Sequence, residues 1–222
     1  MPDVTTLPPA SQPHPSLPTD TTLDILYLAR TAALPELKED LQTHSQTHNA
    51  TPAQILQAAR DPHTGNTAAH YAAANGHDPI LRYVQELEAD ERLAVDGTAS
   101  DSEATPRSLF SSTNETGSTP LHYAAVNGQL KAVEVLLAHP GWAEDKGRRR
   151  GYVEMRNQAG RTARNEADLQ GAGREEWLKV VGLLEKHEAE AAGDAVEGEV
   201  VDAAVDEDVE KAREGVGGVS MG

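Results

Sequence analysis

The chain has 222 residues, 36 of them acidic and 19 basic, for a net charge of −17, with no cysteine and only two Trp, five Tyr and one Phe. Without cysteine there are no disulfides and no thiolate metal sites. So few aromatics exclude a large core filled by big side chains and fit thin layers packed through small residues, while the charge disfavours nucleic acid and anionic membranes and favours basic partners.

Residues 1–20 (MPDVTTLPPASQPHPSLPTD) are proline-rich with almost no apolar bulk, which predicts a disordered N-terminus. The segment has no basic region followed by an apolar stretch, so no secretory leader is expected. No apolar run approaches the roughly 18 residues of a membrane span, and a soluble intracellular protein is expected.

The segment LDILYLARTAALPELKEDL (23–41) predicts a pair of helices, and THSQTHNATP after it reads as a loop. Next come two nearly equal strings, TGNTAAHYAAANGH (64–77) and TGSTPLHYAAVNGQ (116–129), identical at nine of fourteen positions. Thr67 and Thr119 are placed to cap short helices through their hydroxyls, and Pro120 sits at a first helical position, where its missing N–H costs nothing. Gly76 and Gly128 end those helices. Ala72, Ala73, Ala124 and Ala125 leave room for a second helix to approach. These second helices follow at once, with Ile80, Val84 and Leu87 on one inward face and Val133, Leu136 and Leu137 on the other. Such a pair cannot bury its apolar side alone and has to stack on a copy of itself.

These residues resemble the ankyrin repeat, whose pattern includes Gly-x-Thr-Pro-Leu-His-x-Ala-Ala-x-x-Gly. Residues Gly117 to Gly128 match every fixed position, and Gly65 to Gly76 depart only at Ala68 and Ala69. Two degenerate copies flank them: 23–41, with Ala32 in place of the glycine, and 159–187, which keeps Gly160, Thr162 and Gly171 but has Arg164 and Asn165 where Leu and His belong. The expected fold is all-α, an ankyrin-repeat solenoid of about four repeats, two full and two capping, over residues 21–187. Polar outer faces on terminal repeats account for their divergence. Spacing is wider than the family's period of roughly 33. The excess falls in DERLAVDGTASDSEATPRSLFSST (90–113), read as a polar loop, and in GWAEDKGRRRGYVEMRN (141–157), read as part of the hairpin finger joining repeats three and four. Residues 188–222 hold 11 acids and 2 cations and predict a disordered acidic tail.

The candidate chemistry is sparse. His70 and His122 stand where the motif implies a structural role, bonding the turn and the Thr of the same repeat. His44 and His48 have the spacing of two ligands on one helix face, but their segment reads as a loop without a supporting carboxylate, so no metal is assigned. No phosphate loop, catalytic triad or paired buried carboxylates can be argued, and an enzyme is not expected. Arg148 to Arg150 form the one basic cluster; a solvated loop tip is the reading preferred over a nuclear-import signal. Trp177 continues the stripe of Val181 and Leu184 and is read as core.

The resemblance implies a protein-binding surface on finger tips and the exposed ends of the first helices. Carried over by position, it comprises His63, Asn66, Ala74, Asn75, Glu115, Ser118, Val126, Asn127, Gln158, Arg161, Leu169 and Gln170. Trp142, between Gly141 and Ala143, reads either as a finger-packing aromatic or as an exposed anchor and is counted with this surface. The layout of short stack, widened spacing and acidic end is similar to the small fungal ankyrin-repeat chaperones dedicated to small-subunit ribosomal protein three. That resemblance implies a chaperone for a newly made basic ribosomal protein, acting in cytoplasm and nucleus, with no cofactor, nucleic acid, membrane or small-molecule substrate. The alternative is a generic ankyrin adaptor or regulatory subunit.

Overall fold

The computed structural model describes residues 15–94, 108–140, 146–171 and 173–197. Among them are ten α-helices and no strand: α1 (Thr19–Arg30), α2 (Leu34–His48), α3 (Pro52–Ala58), α4 (Ala68–Asn75), α5 (Asp78–Ala94), α6 (Pro120–Val126), α7 (Leu130–Leu137), α8 (Lys146–Val153), α9 (Ala163–Gln170) and α10 (Glu175–Glu197). The pairs α1/α2, α4/α5, α6/α7 and α9/α10 are the four repeats. Their first helices pack in the row α1–α4–α6–α9, and α3, α5, α7 and α10 follow one another in the second layer.

Small side chains set the spacing of the first row. Ala68, Ala69, Ala72, Ala73, Ala124, Ala125, Ala163 and Ala167 are all buried. The second layer supplies the bulk, from Ile80, Leu81 and Val84 to Val133, Leu136, Val180 and Leu184. Each fully buried aliphatic of this size stabilises the stack by about 1.5–3 kcal/mol.

The turn between paired helices needs a left-handed residue. Gly76 and Gly128 adopt φ of 72° and 65°. The Gly128 position also receives a neighbour: a Cβ there would stand 2.9 Å from Trp177 Cδ2. In the first repeat the same turn is made by Ala32 at φ 60°, at a steric cost of roughly 1–2 kcal/mol.

Several expectations are corrected. Helix α1 already begins at Thr19, inside the segment read as disordered, and residues 1–14 lie outside the described residues. Helix α2 runs through His48, and α3 follows after a reciprocal cap: Thr51 Oγ1 accepts from Gln54 N–H, and Gln54 Oε1 accepts from Thr51 N–H, both at 3.1 Å. The loop reading of 43–52 therefore fails. Local capping and the burial of Ile55 and Leu56 explain why.

The polar stretch 90–113 is not a free loop at its described ends. Helix α5 continues to Ala94, and Leu109–Ser111 form a 3-10 turn whose Leu109 and Phe110 are fully buried. Buried Glu88 accepts from the Leu109 N–H, from Ser108 Oγ at 2.9 Å and from His139 Nε2 at 2.9 Å. Residues 141–157 contain helix α8, which packs against α10 and buries Tyr152 and Val153. Arg148 to Arg150 are thus helical rather than a loop tip. Arg149 reaches Glu190 at 2.7 Å and Arg150 reaches Glu154 at 3.1 Å. Helix α10 also overruns the boundary drawn at residue 188 and ends at Glu197; residues 198–222 lie outside the described residues.

Candidate functional site: the row of first helices and its fingers

Each finger is a tight turn organised by one Asp or Asn. Asn114 Oδ1 accepts from Thr116 N–H at 3.0 Å and Ser118 N–H at 2.9 Å, and Asn157 Oδ1 accepts from Ala159 and Arg161 N–H at 3.0 and 3.1 Å. In the second repeat Asp61 plays this part, with His63 and Thr64 N–H at 2.8 and 3.1 Å. Such side chains imitate a backbone turn and rigidify it.

A side chain on the following helix clasps each of these residues. Tyr71 donates its hydroxyl to Asp61 Oδ2 at 2.6 Å, Asn114 Nδ2 donates to the Tyr123 hydroxyl at 3.0 Å, and Asn157 Nδ2 donates to Glu166 Oε1 at 2.7 Å. The Tyr71 hydroxyl, more than any other contact, holds the Asp61 carboxyl below its ordinary range. Successive fingers are bonded as well, Glu115 N–H to the Thr64 carbonyl at 3.0 Å and Gln158 N–H to the Thr116 carbonyl at 2.9 Å. None of the clasp residues was singled out in the sequence. The only available signal was an Asp or Asn three or four residues before each Gly-x-Thr.

The histidines tie repeats together. His70 Nδ1 accepts from Thr67 N–H at 3.2 Å, with the Thr67 hydroxyl 2.9 Å away, and its Nε2 donates to the Ser118 carbonyl at 2.9 Å. His122 does the same with Thr119, at 3.2 and 2.9 Å, and with the Arg161 carbonyl at 3.0 Å. The bond to the Thr of the same repeat is as expected, but the turn each reaches is that of the next repeat. Burial pushes the His70 imidazole down to about 4 and lowers that of His122, so both stand neutral in these bonds. In the fourth repeat Asn165 takes over the cap, its Oδ1 accepting from Thr162 N–H at 3.2 Å.

On this scaffold His63, Asn75, Glu115, Asn127, Gln158, Arg161, Leu169 and Gln170 are exposed, and Ala74 and Val126 are half-buried. Asn66 and Ser118 are instead buried: Asn66 Oδ1 accepts from Asn114 Nδ2 at 2.9 Å, and the Ser118 carbonyl is the His70 acceptor. The Asn66 side chain and the Ser118 carbonyl join neighbouring repeats, and the Ser118 hydroxyl accepts from the Thr116 hydroxyl within its own finger. Asn75 and Asn127 each spend one N–H on their own helix, 2.8 Å from the Tyr71 and Tyr123 carbonyls. Arg161 is paired with Glu166 at 2.9 Å. Trp142 lies outside the described residues. Trp177 is half-buried, with Nε1 donating to the Val126 carbonyl at 3.1 Å and the Arg174 guanidinium 5.0 Å from its ring.

Among the described residues no three His, Asp or Glu side chains converge as a metal site, and no helix is long and apolar enough to cross a membrane. His44 and His48 sit on α2 with ring centroids 6.0 Å apart, and His44 Nε2 lies 3.5 Å from Asp40. A cleft of about 650 Å³ is lined by Glu154, Arg156, Arg164, Glu185 and Glu188; Glu154 is paired with Arg150, and Arg156 donates to the Gly160 carbonyl. In it Arg164 reaches Glu185 at 3.2 Å and Glu188 at 3.0 Å, and burial raises the Glu188 carboxyl. The row of first helices with its fingers presents an open surface, on which Asn75, Glu115, Asn127, Gln158 and Leu169 are exposed.

Residues 41–150 match the family profile described as ankyrin repeats in three copies. The stack belongs to the ankyrin-repeat family. No curated protein matches the sequence. Among solved structures, a chain in the crystal structure of the yeast ribosomal protein Rps3 in complex with its chaperone Yar1 overlays with a TM-score of 0.51 and 24% identity. The overlay covers 80% of this chain and 95% of that one, which identifies the same fold. The ankyrin profile ends at residue 150; the fourth helix pair, α9/α10, continues the stack beyond it.

Proposed function

We propose that this ankyrin-repeat protein is a dedicated chaperone: it binds a newly made basic ribosomal protein of the small subunit, protein three, keeps it soluble and escorts it for ribosome assembly. The observation that carries the reading is the overlay on nearly the full length of a chain from the complex of Rps3 with its chaperone Yar1. The net charge of −17 supports it, since a protein built to bind rRNA is strongly basic when outside the ribosome.

Recognition follows from how the charge is distributed. Exposed ion pairs contribute only about 0.2–1 kcal/mol each, so affinity comes from a client segment seated on the row of first helices, over Ala74, Asn75, Val126, Asn127 and Leu169. The acids from Glu188 onward raise the association rate and its salt dependence. Release follows when rRNA competes for the client's basic face. No catalytic step is involved, and the role entails presence in both cytoplasm and nucleus.

The test is mass spectrometry of what co-purifies with the tagged full chain at low salt. One stoichiometric basic ribosomal protein, lost at high salt, is the expected result. A set of non-basic partners retained at high salt would replace this reading with that of a general ankyrin adaptor, to which the repeat motif alone is equally suited.

A further inference from the structure

The clasp that holds each finger has one member without a finger. Tyr71, Tyr123 and Glu166 stand five residues before Gly76, Gly128 and Gly171, and Tyr27 stands five before Ala32, in the same register of α1. Helix α1 starts at Thr19, so it has absorbed the residues that in the other repeats form the turn. Tyr27 is left 63% exposed, whereas Tyr71 and Tyr123 are half-buried beneath their fingers. One turn earlier Leu23 is 44% exposed, and these are two of the four large apolar side chains found exposed among the described residues.

Helical spacing sets Asp20, Leu23, Asp24 and Tyr27 along one stripe, and both aspartates are exposed. We propose that this stripe grips a basic segment of the partner protein, which takes the place of the missing finger. An aliphatic side chain of the segment lies between Leu23 and Tyr27, and its lysines or arginines meet Asp20 and Asp24. The charge selects the occupant. Residues 1–14 contain no Lys or Arg to meet the aspartates, and a second copy would bring its own net charge of −17. Because α1 packs on α4, the stripe prolongs the row of first helices at its N-terminal end. The identity of the partner rests on the proposed function; the stripe does not.

The test measures binding of purified yeast Rps3 to the full chain by calorimetry at two salt concentrations. The double variant Leu23→Ala/Tyr27→Ala should bind about 30-fold more weakly, the loss typical of a hot-spot pair. Its helical content and melting temperature should not change, because both side chains face solvent. Asp20→Asn/Asp24→Asn should lose affinity at low salt and show a flatter salt dependence. Binding of the Leu23/Tyr27 variant within twofold of the parent would overturn the proposal. If the parent chain does not bind Rps3, the functional reading falls, and an amphipathic Lys/Leu peptide decides the stripe by the same comparison. Equal peptide binding by parent and variant, or none by either, sinks it. Tighter binding after deletion of residues 1–14, or a dimer dissolved by the Leu23/Tyr27 variant, would assign the stripe to a different occupant and overturn it too.

Discussion

The Trp177 indole occupies the space a side chain at Gly128 would need. A Cβ on Gly128 would stand 2.9 Å from Trp177 Cδ2, and the indole Nε1 donates to the Val126 carbonyl at 3.1 Å. The last repeat thus seats its one large aromatic in the glycine turn of the third. In the preceding interface Gln129 lies over Gly76 in the same way.

Gly128→Ala should therefore be costly on two grounds. It puts a Cβ at φ 65° and pushes it into the indole. Left-handed strain and overpacking together predict a loss of about 2–4 kcal/mol. Combining it with Trp177→Ala should relieve the steric share, so chemical denaturation of the double variant should show less than additive loss. Strict additivity would mean that the two residues do not meet in solution.

The neutral histidines make the stack sensitive to acid. His70 has an ordinary value of 6.5 when unfolded and about 4 when folded, so the unfolded state binds more protons between those values. Stability is then fully present above pH 6.5 and lost as pH falls towards 4, by roughly 3 kcal/mol for His70 alone. His122, lowered for the same reason, adds in the same direction. Urea titrations from pH 7 to 4 should show this slope. His70→Asn, which can keep the cap as Asn165 does, should flatten it while lowering stability at pH 7, because the bond to the Ser118 carbonyl is gone.

Ala32 is the opposite case, a residue where glycine is wanted. At φ 60° in an exposed turn, Ala32→Gly removes left-handed strain and adds some freedom to the unfolded chain. The balance predicts a net gain of about 0.5–1 kcal/mol, a rise in melting temperature of roughly 2–4 °C. A fall in melting temperature would show that the turn is not left-handed in solution.

What the sequence disclosed depended on whether a rule was local. Thr67, His70 and Gly76, and Thr119, His122 and Gly128, act within one helix and its turns, so their spacing was readable as two copies of one unit. Thr51 and Gln54 are equally local, and their capping pattern could have placed α3. Helix α8 could not be found this way: KGRRRGYV contains two glycines and no apolar periodicity, and its support is tertiary, through packing against α10 and the burial of Tyr152 and Val153. The same holds for Phe110. It lies in a polar stretch, and the groups that bury it, including His139 at a ring distance of 5.4 Å, come from far along the chain. At the candidate surface the exposed ends of the first helices were foreseeable. Asn66 and Ser118 were not, since the Asn66 side chain and the Ser118 carbonyl find their partners in the stacked neighbour.

Glu88 tests how firmly the second half of the 90–113 stretch is held. Its carboxylate gathers donors from three places: Ser108 Oγ, the Leu109 N–H and His139 Nε2, the last 51 residues away in the chain. Glu88→Ala would leave these buried donors without their acceptor, a loss of about 3–5 kcal/mol when a buried pair is broken. Phe110→Ala should cost a similar amount, about 3–5 kcal/mol, through the cavity left behind. The two substitutions loosen one unit, so their combined effect should fall short of the sum. Hydrogen exchange reads the local consequence: in Glu88→Ala the amides of Leu109 to Ser112 should exchange much faster, while those of α4 and α6 keep most of their protection. If the Leu109 to Ser112 amides exchange equally fast in the parent chain, the carboxylate does not anchor this segment.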